Sequence, residues 1–453
     1  MSTAVPVVRP TVEAPQNHRR VEEREPNSNG RESSPRRNGR SSRPMNASSE
    51  PDHPPNQTAP ATAVAPRIDP ISSGEIRTID VPRSLEVQRR HNLISDFLAG
   101  NGYDGVLIQR PSNFAWLTAG ADNTRRGTSE ITAAIFVTHD GRVMLCQNVD
   151  SAQLFDRELN GMGFQLKERP WTEAREQLLK DLCRGRHTAS DIEFPGSDFV
   201  EPELAKLRRS LSEYDRVQYR QLAGMVAHAV EAVARTCEPG QTEEEVAGQI
   251  AHRLMRRGVQ PVRVQAITGA NTRRYRHWTY GPDKIEKFAV VSAVGRSRGM
   301  HALCTRMVAF GKPSKELQEA YQHAVQIQGT GMFFTQAGWD FLESWKRVQR
   351  IYEKLGRDDD WRVCDQAEIT GYENMEVPLT PRSFHRLAEW TAINWHPVVG
   401  SVHLGDSSII HPQGLEWVTH SKEWPQVEVQ VKGVRIRRPA LLNRGMASEW
   451  AID

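Results

Sequence analysis

The first candidate for acid–base chemistry in this sequence is the side chain of His277, which lies between Arg276 and Trp278. An imidazole has a reference pKa of about 6.5, so it can both give and take a proton at neutral pH. The functional interpretation is therefore that His277 acts as a general acid or base. The alternative is a structural histidine, hydrogen-bonded at the end of a helix or strand and flanked by surface arginines.

A second group of candidates is mainly acidic and lies further along the chain, between positions 365 and 406. It comprises Asp365, Glu368, Glu373, Glu376 and Asp406, together with His396. Carboxylates and an imidazole can bind a divalent cation if their donor atoms converge to about 2–2.6 Å from it. One hypothesis is thus a single-metal site of Glu368, Glu376 and His396. The alternative is a polar pocket rim, in which the acids pair with nearby arginines such as Arg362 and Arg382.

Composition limits the classes of protein that can carry these residues. The chain has 453 residues, 38% hydrophobic, and its 59 basic and 56 acidic residues leave a formal charge of +3. Such a balance gives no reason to expect a nucleic-acid partner. No apolar run approaches the roughly 18 residues of a membrane span, so we predict a cytoplasmic protein without a membrane partner. The scattered cysteines are predicted to be reduced core thiols.

The chain divides into four predicted parts. Residues 1–83 are rich in Pro, Ser, Arg and Glu and predict a disordered tail. Residues 84–209 predict a small α/β domain, with a hairpin turning at Asp140 and Gly141. Residues 210–435 predict a larger α+β domain, since helices alternate irregularly with strands. Residues 436–453 are left as a C-terminal tail.

The elements of the larger domain are marked by periodicity and caps. Its first helix is predicted from the shared face of Val217, Leu222, Val226, Val230 and Val233. Thr242 and Glu245 predict a capping box that begins the next helix. Strands are predicted at 262–267 and 288–294, and further helices at 314–328 and 339–355.

An ordered series of short motifs resembles one known family. They are GYDGVLI at 102–108, NFAWLTAG at 113–120, EPGQTEEEV at 238–246, Gly299 with Thr305 and Arg306, GKPSKEL at 311–317 and GLEWVT at 414–419. Their order is similar to that of the creatinase, aminopeptidase P and prolidase family. The resemblance implies a pita-bread C-terminal domain preceded by a smaller creatinase-type α/β domain.

Active members of that family bind two divalent ions through two aspartates, one histidine and two glutamates, and the ions activate a bridging water. The motifs align these ligand positions with Ala293, Leu303, Glu368, His396 and Gly405, with Asp365 as a register alternative for the third. None has the expected residue type, although Glu368 and His396 can each still donate. The resemblance therefore predicts no metal cofactor, or at most one divalent ion.

The resemblance also assigns roles to other residues. His277 aligns with a histidine that contacts the substrate, and creatinase uses an equivalent histidine without metal. Glu376 lies in a Glu-x-Pro pattern, as in methionine aminopeptidase, and Met375 replaces the family's second catalytic histidine. We take His277 and Glu376 as catalytic candidates. The predicted pocket residues are Glu368, Tyr372, His396, Asp406 and Arg306.

Three functions remain open from the sequence. The first is a metal-free pita-bread binding module or pseudo-peptidase. The second is a metal-independent C–N hydrolase of creatinase type that uses His277 on a small amide or amidine. The third is a noncanonical Xaa-Pro metallopeptidase with one ion. Whether the protein is an enzyme is thus uncertain, and a homodimer that binds a small peptide is expected by analogy.

Overall fold

Two large β-sheets and two sheets of two strands each organise the residues described by the computed structural model, which are 80–445 without positions 126 and 278. The first sheet has the strand order β4-β3-β2-β1-β5-β6, and the second contains the path β11-β10-β12-β15-β9-β8-β7. The strands are β1 Gly105–Ile108, β2 Ala133–Val137, β3 Arg142–Gln147, β4 Gln165–Arg169, β5 Thr188–Ser190, β6 Ser197–Phe199, β7 Gln260–Thr268, β8 Phe288–Ser297, β9 Met300–Phe310, β10 Ala367–Thr370, β11 Val377–Leu379, β12 Ala392–Trp395, β13 Val398–Val399, β14 Val402–His403, β15 Gly405–His411, β16 Gly414–Trp417, β17 Gln426–Val431, β18 Val434–Pro439 and β19 Leu442–Arg444.

The helices cover the two sheets. They are α1 Val81–Asn101, α2 Pro111–Leu117, α3 Asn148–Ala152, α4 Arg175–Cys183, α5 Glu201–Arg209, α6 Glu213–Thr236, α7 Glu243–Met255, α8 Asn271–Arg274, α9 Lys315–Phe334 and α10 Phe341–Lys354. A π-helical turn spans Gln153–Glu158 and a 3₁₀ turn spans Asp360–Val363. In the described part of the chain, no helix is long and apolar enough to cross a membrane.

Local sequence signals explain several boundaries. α1 begins after Asp80, whose side chain accepts a hydrogen bond from the backbone of Arg83, and it ends at Gly102, which adopts φ 72°. The predicted capping box of Thr242 and Glu245 is confirmed at α7. The predicted hairpin is confirmed as well, because β2 and β3 pair antiparallel on either side of Asp140 and Gly141.

The hydrophobic core has two main parts. One joins α1, the first sheet, α6 and α7 with β8 and β9, and the other packs α9 and α10 against β10 and β12. Gly295 permits the close approach of α6, because a Cβ there would lie 2.6 Å from the side chains of Val226 and Val259. The four aliphatic residues from Leu222 to Val233 on the predicted face of α6 are buried, but Val217 is exposed.

The architecture confirms the predicted mixed α+β class. The second sheet is antiparallel along its main path, from β11 to β7. Of the predicted tail, residues 1–79 lie outside the described residues, and 81–83 already belong to α1. Strands β18 and β19 extend beyond position 435. All five cysteines are free thiols, and four of them are buried as predicted, whereas Cys364 is only partly buried.

Candidate functional site

The candidate site lies where β10 and β12 run side by side in the second sheet. Asp365, Glu368 and His396 each offer one donor atom, and these atoms all lie within 4.8 Å of one another. We call these three residues the donor cluster. His277 lies beside the cluster, with Nε2 3.6 Å from Oδ1 of Asp365, and it is exposed. The structure therefore brings together three of the residues singled out in the sequence and the register alternative Asp365.

A chain of hydrogen bonds fixes the central carboxylate of the donor cluster. Oε1 of Glu368 accepts from Nδ2 of Asn394 at 2.5 Å, and Oε2 contacts Nε2 of His396. Asn394 in turn accepts from Oγ of Ser407 at 2.6 Å, and Ser407 accepts from the backbone N–H of Leu303 at 2.8 Å. These contacts span four strands, so the sheet itself orients Glu368.

Electrostatics at the cluster are mixed. Burial lowers the pKa of His396, but the neighbouring Glu368 carboxylate opposes it strongly enough to raise that pKa above its usual value. The charge of Arg263 lowers the pKa of the same imidazole. Burial also raises the pKa of the Cys364 thiol to about 12, so this cysteine stays protonated and is no nucleophile at neutral pH.

The strand register shows which residues share the face of Glu368. Paired residues point to the same face, and successive residues along a strand point to opposite faces. Glu368 pairs with Asn394, Trp395 pairs with Asp406, and Thr305 pairs with both Gly405 and Ser292. The face that carries the cluster, which we call the site face, therefore includes Ser292, Leu303, Thr305, Glu368, Asn394, His396, Gly405 and Ser407.

This register corrects one predicted position. Ala293 pairs with Cys304 and lies on the opposite face from Leu303, so it does not occupy the place of a first acidic ligand. Ser292 lies on the site face instead, and its hydroxyl is hydrogen-bonded to Oγ1 of Thr305 at 2.7 Å. The correction changes the residue but does not supply a carboxylate.

Gly405 lies in a tightly packed part of the site face, next to Thr305 and Leu303. A Cβ at this position would overlap Oγ1 of Thr305 and would lie 3.4 Å from Cδ2 of Leu303. A glutamate at 405 thus has no room unless Thr305 moves. Neither Leu303 nor Gly405 has a side-chain donor. Among the five aligned ligand positions only Glu368 and His396 can donate, so these positions do not fit a two-ion centre of carboxylates.

Comparison with known proteins places this site in a family. Residues 217–402 match the model of metallopeptidase family M24. This segment belongs to the M24 family. It contains β7 to β13, and hence the donor cluster and His277.

Similar chains and structures extend beyond the M24 domain. An uncharacterized peptidase of Staphylococcus aureus strain MW2 is 20% identical over 346 residues, which are 72% of this chain and 97% of the relative. The prolidase from Pyrococcus horikoshii OT3 superposes with a TM-score of 0.64 at 16% identity, over 74% of this chain and 99% of that one. The N-terminal domain of the FACT complex subunit SPT16 from chickpea, Cicer arietinum, gives 0.60 at 12% identity over 76% and 97%. The pita-bread fold is thereby shown.

Two predicted pocket residues, Arg306 and Asp406, are not on the site face. Arg306 and Asp406 are both 1% exposed and form an ion pair at 2.9 Å. Arg306 also pairs with Glu231, and Asp406 also pairs with Arg438. Asp406 is on the opposite face from Gly405 because it pairs with Trp395. We call these four residues the buried ion cluster, and their contacts indicate a structural role.

Tyr372 and Glu376 are also held away from the donor cluster. The hydroxyl of Tyr372 donates to Oδ1 of Asp215 at 2.6 Å, and Arg90 from α1 contacts both. Glu376 forms a bidentate pair with Arg208 from α5, at 2.9 and 2.7 Å. Burial raises the pKa of Glu376, although Arg208 opposes the shift. Both residues thus join the M24 domain to the preceding segment.

The structure does not bring together the three residues of the predicted single-metal site, Glu368, Glu376 and His396. Asp365 takes the place of Glu376 as the third donor. Sequence reasoning overlooked Asn394 and Ser407, which support Glu368. The signal available was the alternation of Asn394 with His396, which puts both on one face, but strand register is required to see that Glu368 faces them.

Two buried histidines, His301 and His403, are expected to make the stability of the protein depend on pH. Burial lowers the pKa of His301 and of His403 to about 4, and basic neighbours act in the same direction. These neighbours are Arg296 for His301, and Arg276, Arg263 and His277 for His403. Opposing these, His301 receives a raising contribution from the Gly371 carbonyl and Glu373, and His403 from the Thr272 carbonyl. An unfolded histidine titrates near pH 6.5, so between pH 6.5 and 4 the unfolded state binds more protons, and stability falls as pH falls.

We expect the free energy of unfolding to drop between pH 7.5 and pH 5, by about 2 kcal/mol for each of these histidines. In His403→Gln the drop is smaller, because glutamine can still donate to the carbonyl of Thr272 but does not titrate. Urea unfolding at both pH values measures the difference. His139→Gln, at an exposed position, is the control. An equal pH dependence in His403→Gln and the parent chain would contradict the assignment.

Proposed function

We propose that this chain is a pita-bread binding module that has lost the dinuclear peptidase centre, and that it holds a small peptide or amide ligand on the site face. The observation that carries the proposal is the closure around Gly405. Leu303 and Thr305 occupy the space that a second acidic ligand would need, and Ser292 is already paired with Thr305. Two bridged ions would therefore lack the carboxylates that compensate their charge.

Arg263 supports a ligand that carries a carboxylate. It pairs with Val294, which places it on the site face, and its charge reaches His396. Nε of Arg263 is buried and has no hydrogen-bond acceptor among the described residues. Since a guanidinium binds a carboxylate with directed, charge-assisted hydrogen bonds, the free C-terminus of a dipeptide suits this position.

The comparisons are compatible with a binding role. The Pyrococcus protein is a prolidase, whereas the chickpea domain belongs to a subunit of the FACT complex. The same fold therefore serves both an enzyme and a component of a complex, and the fold alone does not decide between them. A homodimer and a cytoplasmic location remain predictions for this chain.

We expect a panel of Xaa-Pro dipeptides to raise the Tm of the protein without being hydrolysed. The measurement combines thermal unfolding with mass spectrometry of the peptides, with added Mn²⁺ and with EDTA. Arg263→Met should remove the Tm shift, whereas Arg257→Met, at an exposed position after α7, should retain it. Turnover that requires metal would overturn the proposal in favour of a peptidase.

A second candidate is supported by His277. Its imidazole is exposed and lies 3.6 Å from a carboxylate oxygen of Asp365, an arrangement in which the acid can orient a catalytic base. A metal-independent C–N hydrolase needs a base of this kind within reach of its substrate. Turnover of an amide or amidine that survives EDTA and is lost in His277→Ala would select this candidate over the binding module.

A further inference from the structure

A small cavity lies on the reverse of the second sheet, between α10 and the sheet edge formed by β10 and β11. It measures about 100 Å³ and is lined mainly by apolar side chains, among them Trp345, Trp361, Met375, Leu379 and Pro381. Ala367 also lines it, pairs with Leu379 and directly precedes Glu368 on β10. Since successive residues of a strand point to opposite faces, Ala367 and Leu379 point away from the site face. We call this space the tryptophan cavity.

Both tryptophans of the cavity carry a buried indole N–H that lacks an acceptor. The Nε1 atoms of Trp345 and Trp361 have no hydrogen-bond partner within the described part of the chain, and Trp345 is 1% exposed. The two rings contact each other, with centroids 5.5 Å apart and planes at 72°. An unpaired buried donor costs about 1–3 kcal/mol. A ligand that brings acceptor atoms to this wall would therefore recover that free energy.

Other polar side chains of the tryptophan cavity already have partners. Oε1 of Gln366 accepts from the hydroxyl of Tyr352 at 2.7 Å, and its Nε2 donates to the carbonyl of Cys364 at 2.9 Å. The hydroxyl of Thr380 is hydrogen-bonded to that of Ser383 at 3.1 Å. A buried water needs two to four polar partners, so water is held poorly against indoles set in an apolar wall. The free donors thus indicate a ligand rather than a water site.

The charge of the lining selects the kind of acceptor. Asp365 is the charged residue among the described residues that line the cavity, and its side chain is 40% exposed. Because its carboxylate repels an anion, a ligand carboxylate is disfavoured here. The acceptor that fits is a neutral carbonyl oxygen. This requirement is the opposite of that of Arg263 on the site face.

Exposed apolar side chains continue the surface around the tryptophan cavity. Met375 lines the cavity and is exposed, and so are Val363, directly before the lining residue Cys364, and Phe384, three residues after Pro381. Grouped apolar side chains at a surface mark interaction sites. The ligand is therefore expected to extend beyond the cavity, as a segment of polypeptide does.

We propose that the tryptophan cavity docks a proline-rich segment of a partner protein in the polyproline II conformation, with carbonyls that accept from Trp345 and Trp361. Such a segment has no internal hydrogen bonds, so its carbonyls are free. A prolyl residue also has no N–H that the apolar wall would leave unpaired. Aromatic-lined grooves receive segments of this kind. This surface is separate from the proposed ligand site, which uses the other face of the sheet and a free carboxylate.

The test is a titration of the full-length protein, labelled with ¹⁵N-tryptophan, with hexaproline that is acetylated and amidated at its ends. We expect the indole N–H signals of Trp345 and Trp361 to move downfield and to saturate. Each is assigned by its loss in Trp345→Phe or Trp361→Phe. These variants keep an aromatic ring without the donor and should weaken binding by roughly 5-fold each. Trp171→Phe, at an exposed tryptophan, is the control and should bind like the parent chain.

A blocked hexapeptide of alternating glycine and serine tests whether proline is needed. It offers the same carbonyls without the rings, and we expect it to leave both signals in place. Equal shifts with this peptide, no shift with hexaproline, or affinity for hexaproline that neither Trp345→Phe nor Trp361→Phe lowers would overturn the inference. Trp361 is only partly buried, so Trp361→Phe remains informative if Trp345→Phe does not fold.

Arg263→Met separates this inference from the proposed function. The variant should lose the Tm shift with Xaa-Pro dipeptides but bind hexaproline like the parent chain, because the blocked peptide has no carboxylate. Loss of hexaproline binding in Arg263→Met would place that peptide on the site face and overturn the inference. Failure of the dipeptides alone would count against the proposed function only.

Discussion

Arg306→Met is expected to lower the free energy of unfolding by about 3–5 kcal/mol, because it removes the buried arginine that two buried carboxylates share and leaves one of them, Glu231, without a close counter-charge. Arg306 donates to Glu231 at 3.0 Å and to Asp406 at 2.9 Å, and each of the three side chains is 1% exposed. Arg438 still pairs with Asp406 in the variant, but Glu231 keeps only Arg235, at 3.8 Å. Methionine fills a similar volume, so the loss is of charge rather than of packing. Urea unfolding followed by tryptophan fluorescence measures it.

Arg220→Met is the control for Arg306→Met. Arg220 also pairs with a glutamate, Glu416 at 2.6 Å, but the arginine is 42% and the glutamate 33% exposed. A pair in such a position contributes at most about 1 kcal/mol. If the two variants lost equal stability, the buried ion cluster would not have the structural role assigned to it.

Arg90→Met is the second substitution for which a loss of about 3–5 kcal/mol is expected. Arg90 is fully buried, and it links Glu86 of its own helix to Asp215 of α6 and to the hydroxyl of Tyr372, at 2.6, 2.5 and 3.0 Å. Its loss leaves the carboxylate of Asp215, which is 0% exposed, with only the hydroxyl of Tyr372 and the cap of α6. Chemical denaturation again gives the magnitude.

Arg89, next to Arg90 on α1, provides the control for Arg90→Met. Arg89 contacts the same Glu86 at 2.7 Å from the same helix, but its side chain is 47% exposed. Arg89→Met is expected to change stability by less than about 1 kcal/mol. A large loss in Arg89→Met, or a small one in Arg90→Met, would show that the link between α1 and α6 does not depend on burial of the charge.

Local sequence patterns predicted much of the fold because their causes are local. The capping box at Thr242, the turn at Asp140 and Gly141 and the helical face from Leu222 to Val233 each depend on residues within a few positions of one another. The mixed α+β class followed from the order of these elements. Val217 departs from its predicted burial, because it lies five residues before Leu222 and therefore about 140° around the helix from it.

The site could be predicted only in part, because its contacts cross strands that are far apart in sequence. Glu368 and His396 were identified as possible donors, but the third donor, Asp365, depends on how the segment before β10 is placed. The role of Glu376 depends on Arg208, which is 168 residues away. The face of the sheet on which Ala293 lies depends on how β8 pairs with β9. A shift of one residue in that pairing would move Ala293 to the opposite face.

The central claim is that the site face cannot hold two bridged ions, and crystals grown with excess Mn²⁺ test it most directly. Anomalous scattering recorded from them is expected to show at most one ion beside Glu368, with Leu303 and Thr305 still packed against Gly405. Two ions about 3.5–4 Å apart on this face would contradict the claim. In that case the protein would have to be regarded as a dinuclear M24 peptidase.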